Sequence, residues 1–108
     1  MVQISDFSVS SQQLDELCQR FGVKELALFG SRARGDHHRD SDLDVLVDFL
    51  PETRIGLMRL SSMLRELQQL FNHPVDLVPK NGLKPRVRNT VLSEAIPFYH
   101  ANGRESVA

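Results

Sequence analysis

The sequence contains little of what several protein classes depend on. It has no tryptophan, one tyrosine and one cysteine, Cys18, in 108 residues. A single cysteine cannot form an internal disulfide, which excludes a disulfide-stabilised scaffold, and its place in an apolar stripe predicts a buried structural thiol. No apolar run approaches the ~20 residues of a membrane span, and the first ten residues lack the basic and apolar segments of a signal peptide. We therefore expect a cytoplasmic protein with no membrane contact.

The composition predicts one soluble globular domain. Hydrophobic residues make up 41% of the chain and charged residues 25%, which are ordinary values for a folded soluble protein. At 108 residues we expect a single domain over 1–108 that buries roughly 65% of its unfolded surface, with a frayed tail over about 101–108. The net charge of −1 gives no overall attraction to nucleic acid or anionic lipid, so any basic site must be local.

Hydrophobic periodicity and turn residues predict the order α-β-β-α-β-α. The predicted elements are a helix over 11–21, strands over 25–29 and 43–50, a helix over 56–71, a strand over 74–78 and a helix that starts near Pro85 and ends before Pro97. The apolar face predicted for the long helix consists of Leu57, Leu60, Leu64, Leu67 and Phe71. These pieces predict an α/β (α+β) fold, a small mixed β-sheet with helices packed on one face.

Two acids at the start of the second strand are the first candidates for chemistry. Asp42 and Asp44 are two residues apart, so in a strand their carboxylates point to the same side. Aspartate is depleted in strands, and two close like charges repel unless a cation lies between them. Mg²⁺ would resolve both problems, because it binds carboxylate oxygens together with water and phosphate. The alternative is a solvated strand start at which both acids only face water.

The loop between the first two strands, 31–41, has the composition of a phosphate site. Gly30, at the end of the first strand, permits close backbone approach, and Ser31 adds a hydroxyl donor. Gly35 supplies a second permissive backbone position. Three arginines with fork-shaped donors suited to phosphate, Arg32, Arg34 and Arg39, lie in the same loop. The alternative for each is a surface residue or a partner of a carboxylate such as Asp36 or Asp40.

A third acid, Asp76, interrupts the apolar strand at 74–78. A charged residue inside a buried strand needs a partner or a cation, and Asp76 reaches the same site if its strand lies beside the strand of Asp44. The alternative is a solvated residue at a sheet edge. Two other groups are open to simpler interpretations: His37 and His38 as parts of a solvated loop, and the basic cluster over 80–88 as either a contact for nucleotide, RNA or an acidic partner or a solvated helix start.

Together these residues resemble a known signature. The Gly30–Ser31 pair, ten intervening residues, Asp42 and Asp44, and the later Asp76 resemble the polymerase-β-like nucleotidyltransferase superfamily. In finer detail, two segments resemble the minimal nucleotidyltransferase (MNT) branch of this superfamily. They are Gly-Ser-Arg-Ala-Arg-Gly at 30–35 and Ser-Asp-Leu-Asp-Val-Leu-Val at 41–47. The resemblance covers 25–78 and implies a nucleotidyltransferase-like fold. It also implies two Mg²⁺ ions on Asp42 and Asp44, with Asp76 at the ion nearer the attacking hydroxyl, and phosphates held by Gly30 and Ser31.

The resemblance also implies a partner, since the chain has no residues left for a domain that holds the acceptor. In the MNT branch the partner is typically a HEPN-domain toxin, which the antitoxin modifies by transferring AMP from ATP to a tyrosine. We therefore expect a protein adenylyltransferase in a hetero-oligomer, with Arg34 and Arg39 as candidates for stabilising charge on the phosphates. The alternative is a non-catalytic antitoxin that neutralises its partner by occlusion. Nucleic-acid contact is expected only through the partner, because the segment 80–88 has no aromatic residue for stacking.

Overall fold

The computed structural model describes residues 1–101. The strands are β1 Val2–Ile4, β2 Phe7–Val9, β3 Val23–Phe29, β4 Leu43–Phe49, β5 Val75–Pro79 and β6 Ile96–His100. The helices are α1 Ser11–Phe21, α2 Ser31–Arg34, α3 Leu57–Phe71 and α4 Pro85–Glu94, with a 3-10 turn at Lys80–Gly82. None of the described helices has the length and apolar character to cross a membrane. Most of the predicted tail, 102–108, lies outside the described residues.

The central sheet has four strands in the order β5-β4-β3-β6. β4 and β5 are parallel, whereas β3 is antiparallel to both of its neighbours. This mixed sheet confirms the predicted fold class, and the three predicted strands and three predicted helices are all present. β1 and β2 form a separate antiparallel hairpin.

Four elements were missing from the prediction: β1, β2, α2 and β6. The first three have three or four residues each, which is too short for a periodic pattern to develop. β6 contains Pro97, and proline is confined to edge strands and bulges. Both conditions hold here, because β6 is an edge strand and Pro97 lies where its register against β3 shifts.

The alternation of side chains along β4 separates the core from the candidate site. Leu43, Val45 and Val47 are fully buried and join the core formed with α1 and α3. Asp44 and Asp48 are only partly buried and point to the opposite side of the sheet, because neighbouring residues in a strand alternate between its faces. The hydrophobic core therefore fixes β4 in a register that presents Asp44 away from α1 and α3.

The start of α1 is capped by a local side-chain contact, but the apolar face of α3 is shorter than predicted. Ser10 caps α1 by accepting the N–H of Gln13 at 3.2 Å, and Cys18 is fully buried. Burial raises the pKa of the Cys18 thiol to about 12, which confirms a structural thiol. In α3, however, Leu57 is 80% exposed while Leu67 is buried. Periodicity identifies a helix face, but it does not tell how far along the helix a neighbouring element covers that face.

Candidate active site

The strand register brings two of the three predicted acids side by side. Asp44 in β4 is the register partner of Asp76 in the parallel strand β5 and of Phe29 in β3. Asp42 lies just before β4, and Gly30 follows Phe29. The start of β4, the start of β5 and the end of β3 therefore meet at one end of the sheet.

The exposure of the three acids differs. Asp44 is partly buried, whereas Asp42 and Asp76 are exposed. Asp76 occupies an edge strand, as the simpler interpretation of this residue had it, yet it also lies beside Asp44 as the site hypothesis required. An edge position therefore leaves Asp76 open to an incoming substrate.

The electrostatics of Asp44 show that the acids act on one another. Burial raises the pKa of Asp44, and the negative charges of Asp76 and then Asp42 raise it further. Arg34 and Arg32 oppose this shift. An acid whose pKa is raised by like charges marks a place where a cation is favoured.

The donor set of the site suits a hard cation. Among residues 1–101, no group of three or more His, Cys, Asp or Glu side chains has the arrangement of a preformed metal site. Asp44 and its register partner Asp76 nevertheless offer the oxygen ligands that Mg²⁺ prefers, and protein sites for Mg²⁺ characteristically use one or two carboxylates and complete the shell with water and substrate phosphate. This pair fits a Mg²⁺ site of that kind, and the negative charge of Asp42 adds to the attraction for a cation.

The turn at Gly30 is packed directly against Asp44. Its backbone has φ 76° and ψ −154°, a conformation that is essentially restricted to glycine. A Cβ placed on Gly30 would overlap Oδ2 of Asp44 and lie 3.0 Å from its Cγ. Gly30 is therefore required for both its backbone geometry and its contact with the acid. Ser31, next in the chain, begins α2 and is partly buried.

Glu94, a residue that no sequence pattern singled out, contacts the other side of this turn. The N–H of Gly30 donates to Oε1 of Glu94 at 3.2 Å, although Glu94 lies at the end of α4 and 64 positions away in the sequence. Nη1 of Arg34 donates to both carboxylate oxygens of Glu94, at 3.2 and 3.4 Å. Nε of Arg34 donates to Asp36 at 3.1 Å. Arg34 thus lies beside the turn, where its two acidic partners raise its pKa.

Arg32 has a different environment and is not part of a phosphate site. It is 5% exposed, and its guanidinium lies 5.0 Å from the centre of the Phe7 ring. Its donors reach the carbonyl oxygens of His38, Arg39 and Ser41, the hydroxyl of Ser5 and the carboxylate of Asp6, at 3.0 to 3.4 Å.

These contacts correct the grouping of the three arginines as phosphate donors. The donors of Arg32 are engaged with the protein, and three of its acceptors are backbone carbonyls in the segment that leads to Asp42. Arg32 therefore fixes the position of that segment instead of binding a ligand. The sequence pattern could not separate Arg32 from Arg34, because it does not show which face of a four-residue helix is buried.

The remaining loop residues also include some that face solvent and one that contacts the protein. Arg39 is exposed, and its side chain makes no hydrogen bond or ion pair with the described residues, so its predicted contact with phosphate stays a prediction. His37 is not a solvated loop residue as predicted. Its Nε2 lies 3.0 Å from Oδ2 of Asp6, and its Nδ1 is buried without a hydrogen-bond partner within the described part of the chain. His38 is exposed, as expected.

The basic segment 80–88 is partly used for structure. Nζ of Lys80 lies 3.7 Å from Oδ2 of Asp48, and Arg88 donates to the carbonyl of Lys80 at 3.4 Å. Lys84 and Arg86 are exposed. Two of the four basic residues therefore make contacts within the protein while the other two face solvent, and both interpretations of the segment stay open.

Comparison with known proteins identifies a family and related chains. Residues 10–97 match the family model described as nucleotidyltransferase domain. The chain is 40% identical over 89 residues to the protein adenylyltransferase MntA of Thermococcus cleftensis, a match that covers 82% of this chain and 88% of the relative.

Two solved structures are similar in fold. One, designated a minimal nucleotidyltransferase, is 41% identical with a TM-score of 0.67, and the match covers 81% of this chain and 86% of that one. The other is a complex of tri-AMPylated HEPN toxin of Shewanella oneidensis with MNT antitoxin. Its matching chain is 16% identical with a TM-score of 0.58, over 89% of this chain and 78% of that one, so this second likeness concerns the fold alone.

Proposed function

The chain belongs to the nucleotidyltransferase domain family, which confirms the predicted enzyme class, and we propose that it transfers AMP from ATP to a tyrosine hydroxyl of a HEPN-family toxin. The observation that carries this proposal is the pairing of Asp44 with Asp76 in adjacent strands, next to the Gly30 turn. The name of the Thermococcus cleftensis relative supports AMP transfer to a protein. The AMPylated toxin in the Shewanella oneidensis complex supports the class of acceptor. The chain would act as an antitoxin, in a cytoplasmic hetero-oligomer with its acceptor.

Each residue of the site has a separate task in this proposal. Asp42, Asp44 and Asp76 would hold Mg²⁺, which supplies activation of the attacking hydroxyl and neutralisation of the leaving pyrophosphate. The N–H of Gly30 and the hydroxyl of Ser31 bind the β- and γ-phosphates. A second group of donors, Arg34 and Arg39, offsets the negative charge of the phosphates.

The transfer itself is an exchange of two bonds at the α-phosphorus. The acceptor oxygen forms a bond to this atom while the bond to the oxygen of the leaving pyrophosphate breaks. Asp76 is exposed on the edge strand, and it takes the proton of the acceptor hydroxyl. Because Asp44 is held against the Gly30 turn, the carboxylates and the phosphate donors keep a fixed relative position, which is the main requirement of phosphoryl-type transfer.

The direct test uses a HEPN-family toxin as acceptor. Incubation with ATP and Mg²⁺ should add one or more AMP groups to the toxin, detected by intact-mass spectrometry, and should release pyrophosphate. Asp42→Asn, Asp44→Asn and Asp76→Asn should each reduce the rate at least about 100-fold, as expected when a group that stabilises developing charge is removed. Asp48→Asn is the matched control: Asp48 lies on the same strand but pairs with Lys80, so this variant should retain transfer.

The same experiment separates catalysis from occlusion. If the parent protein adds no AMP while a triple Asn variant still binds and neutralises the toxin, neutralisation by occlusion replaces the proposal. A triple variant that binds the toxin without modifying or neutralising it would place the function in AMP transfer. Peptide mapping of the modified toxin then identifies whether the acceptor is a tyrosine.

A further inference from the structure

The carboxylate of Glu94 occupies the donors that the proposed function assigns to phosphate. Its Oε1 accepts the N–H of Gly30 at 3.2 Å and Nη1 of Arg34 at the same distance. Its Oε2 lies 3.4 Å from Nη1 of Arg34. A backbone N–H and an arginine fork are also the donors that bind phosphate oxygens in proteins. Glu94 thus makes the contacts that a phosphate group would make.

A phosphate and this carboxylate cannot both occupy the turn. The N–H of Gly30 is a single donor and is directed at one acceptor. Two negatively charged groups that share Arg34 within hydrogen-bond distance would also repel each other. The side chain of Glu94 is 20% exposed and therefore has access to solvent on one side, which gives the carboxylate a place to move to.

We propose that Glu94 is an internal competitor of the nucleotide: it holds the Gly30 turn when the site is empty, and the triphosphate must displace it to bind. This inference rests on the proposed function, because it assumes that the turn binds phosphate. Displacement frees Nη1 of Arg34 for the ligand, while Asp36 continues to hold Nε at 3.1 Å. Glu94 is also the last residue of α4, two positions before β6 begins.

The test compares two acids that share Arg34 as a partner. Glu94→Gln removes the charge of the competitor and retains its shape, and Glu94→Ala removes the group entirely. Asp36→Asn is the matched control, because Asp36 also pairs with Arg34 but does not contact Gly30. Binding of ATP with Mg²⁺ and of adenosine would be measured by titration calorimetry for the parent and the three variants, with thermal unfolding as a check that each is folded.

The expected result is an increase in ATP affinity of roughly tenfold for Glu94→Gln. This is the change in affinity that corresponds to the loss of one charge-assisted hydrogen bond that competes with the ligand. Glu94→Ala should bind ATP at least as tightly as Glu94→Gln. Asp36→Asn should change ATP affinity much less, and the affinity for adenosine should not change in any variant, because adenosine has no phosphate to place on the turn.

Three results would overturn the inference. ATP affinity that is unchanged or lower in both Glu94 variants would show that Glu94 is not a competitor, while the proposed function would stand. An equal gain in Asp36→Asn, or an equal gain for adenosine, would show a general charge effect or an effect at another part of the site. If the parent and every variant fail to bind ATP in the presence of Mg²⁺, the proposed nucleotide site fails and this inference fails with it.

Discussion

Arg32 and Arg34 lie two residues apart on the same four-residue helix, yet they belong to different kinds of environment. Two helical positions correspond to a rotation of about 200°, so the two side chains leave opposite faces of α2. Arg32 enters the anchored side, which consists of the β1–β2 hairpin and the segment 37–42. Arg34 enters the open side, which consists of the Gly30 turn, Glu94 and Asp36. The same residue type therefore serves structure on one face and is available to a ligand on the other.

The two sides differ in the kind of group that accepts hydrogen bonds from the arginine. Arg32 is bound mostly by backbone carbonyls, which cannot leave without unfolding the segment before Asp42. Arg34 is bound by two side-chain carboxylates, which can rotate away and be replaced by phosphate. Under the proposed function, this arrangement would keep the acids in place while Arg34 exchanges a carboxylate for phosphate.

The largest expected effect distinguishes the two arginines by stability. Arg32→Ala should lower the free energy of unfolding by about 3 kcal/mol, because it leaves three backbone carbonyls in the segment before Asp42 without their donor. Arg34→Ala should change it far less, as expected for an exposed residue in ion pairs. Urea denaturation of both variants measures the difference. Equal losses would mean that the two sides are not distinct.

Gly30 and Gly35 allow a second comparison at the two ends of α2. Both have positive φ, 76° and 86°, but a Cβ on Gly30 overlaps Asp44, whereas a Cβ on Gly35 meets nothing within 4 Å. Gly35→Ala should therefore lower the free energy of unfolding by about 1 kcal/mol for its backbone strain alone. Gly30→Ala should cost about 2–3 kcal/mol and should also abolish ATP binding, measured by calorimetry. A Gly30→Ala protein that still binds ATP would place the phosphates elsewhere.

Features that depend on residues close together in the sequence could be predicted, whereas contacts between residues far apart in the sequence could not. The cap at Ser10 and the pairing of Asp42 with Asp44 depend on neighbouring residues, and their patterns can be read directly. The contact of Glu94 with Gly30 joins residues 64 positions apart, and it arises because α4 connects the two edge strands, β5 and β6. β6 itself was not predicted, so nothing in the sequence placed the end of α4 beside the turn. The burial of Arg32 depends on the β1–β2 hairpin, whose three-residue strands are too short for a periodic pattern to show.

A third prediction concerns the acids of the open side without a cation. Asp44 is partly buried and its pKa is raised by burial and by the charges of Asp76 and Asp42. Asp44→Asn should therefore leave the metal-free protein as stable as the parent at neutral pH, or more stable by up to about 1 kcal/mol, the size of interactions between partly exposed charges. Asp48→Asn on the same strand should give no gain, because Asp48 pairs with Lys80. Thermal unfolding in the presence of EDTA measures both, and a marked loss in Asp44→Asn would make Asp44 a structural residue.

The smallest expected effect tests the acid of the anchored side. The hydrogen bond with His37, and to a lesser extent the guanidinium of Arg32, lower the pKa of Asp6. A carboxyl group whose pKa is lower in the folded protein than its unfolded value of about 3.9 stabilises the fold above that value, and this contribution disappears as the pH falls through the folded pKa. Asp6→Asn should therefore unfold at a slightly lower temperature than the parent at pH 7, and the two should converge as the pH falls below the folded pKa of Asp6.

The control for this measurement is Asp36→Asn, which removes the acid partner of Arg34 from the open side. Asp6 is 68% exposed, so solvent screens its interactions. The size of the stability change on removing its charge therefore depends on the groups that Asp6 contacts. It contacts a buried guanidinium that is fixed by backbone carbonyls, whereas Asp36 contacts a guanidinium that has Glu94 as a second acid. We therefore expect the convergence at low pH for Asp6→Asn and a smaller difference at pH 7 for Asp36→Asn. Identical pH profiles for the two variants would show that the carboxylates contribute equally, and that the anchored side owes its rigidity to the backbone acceptors of Arg32 alone.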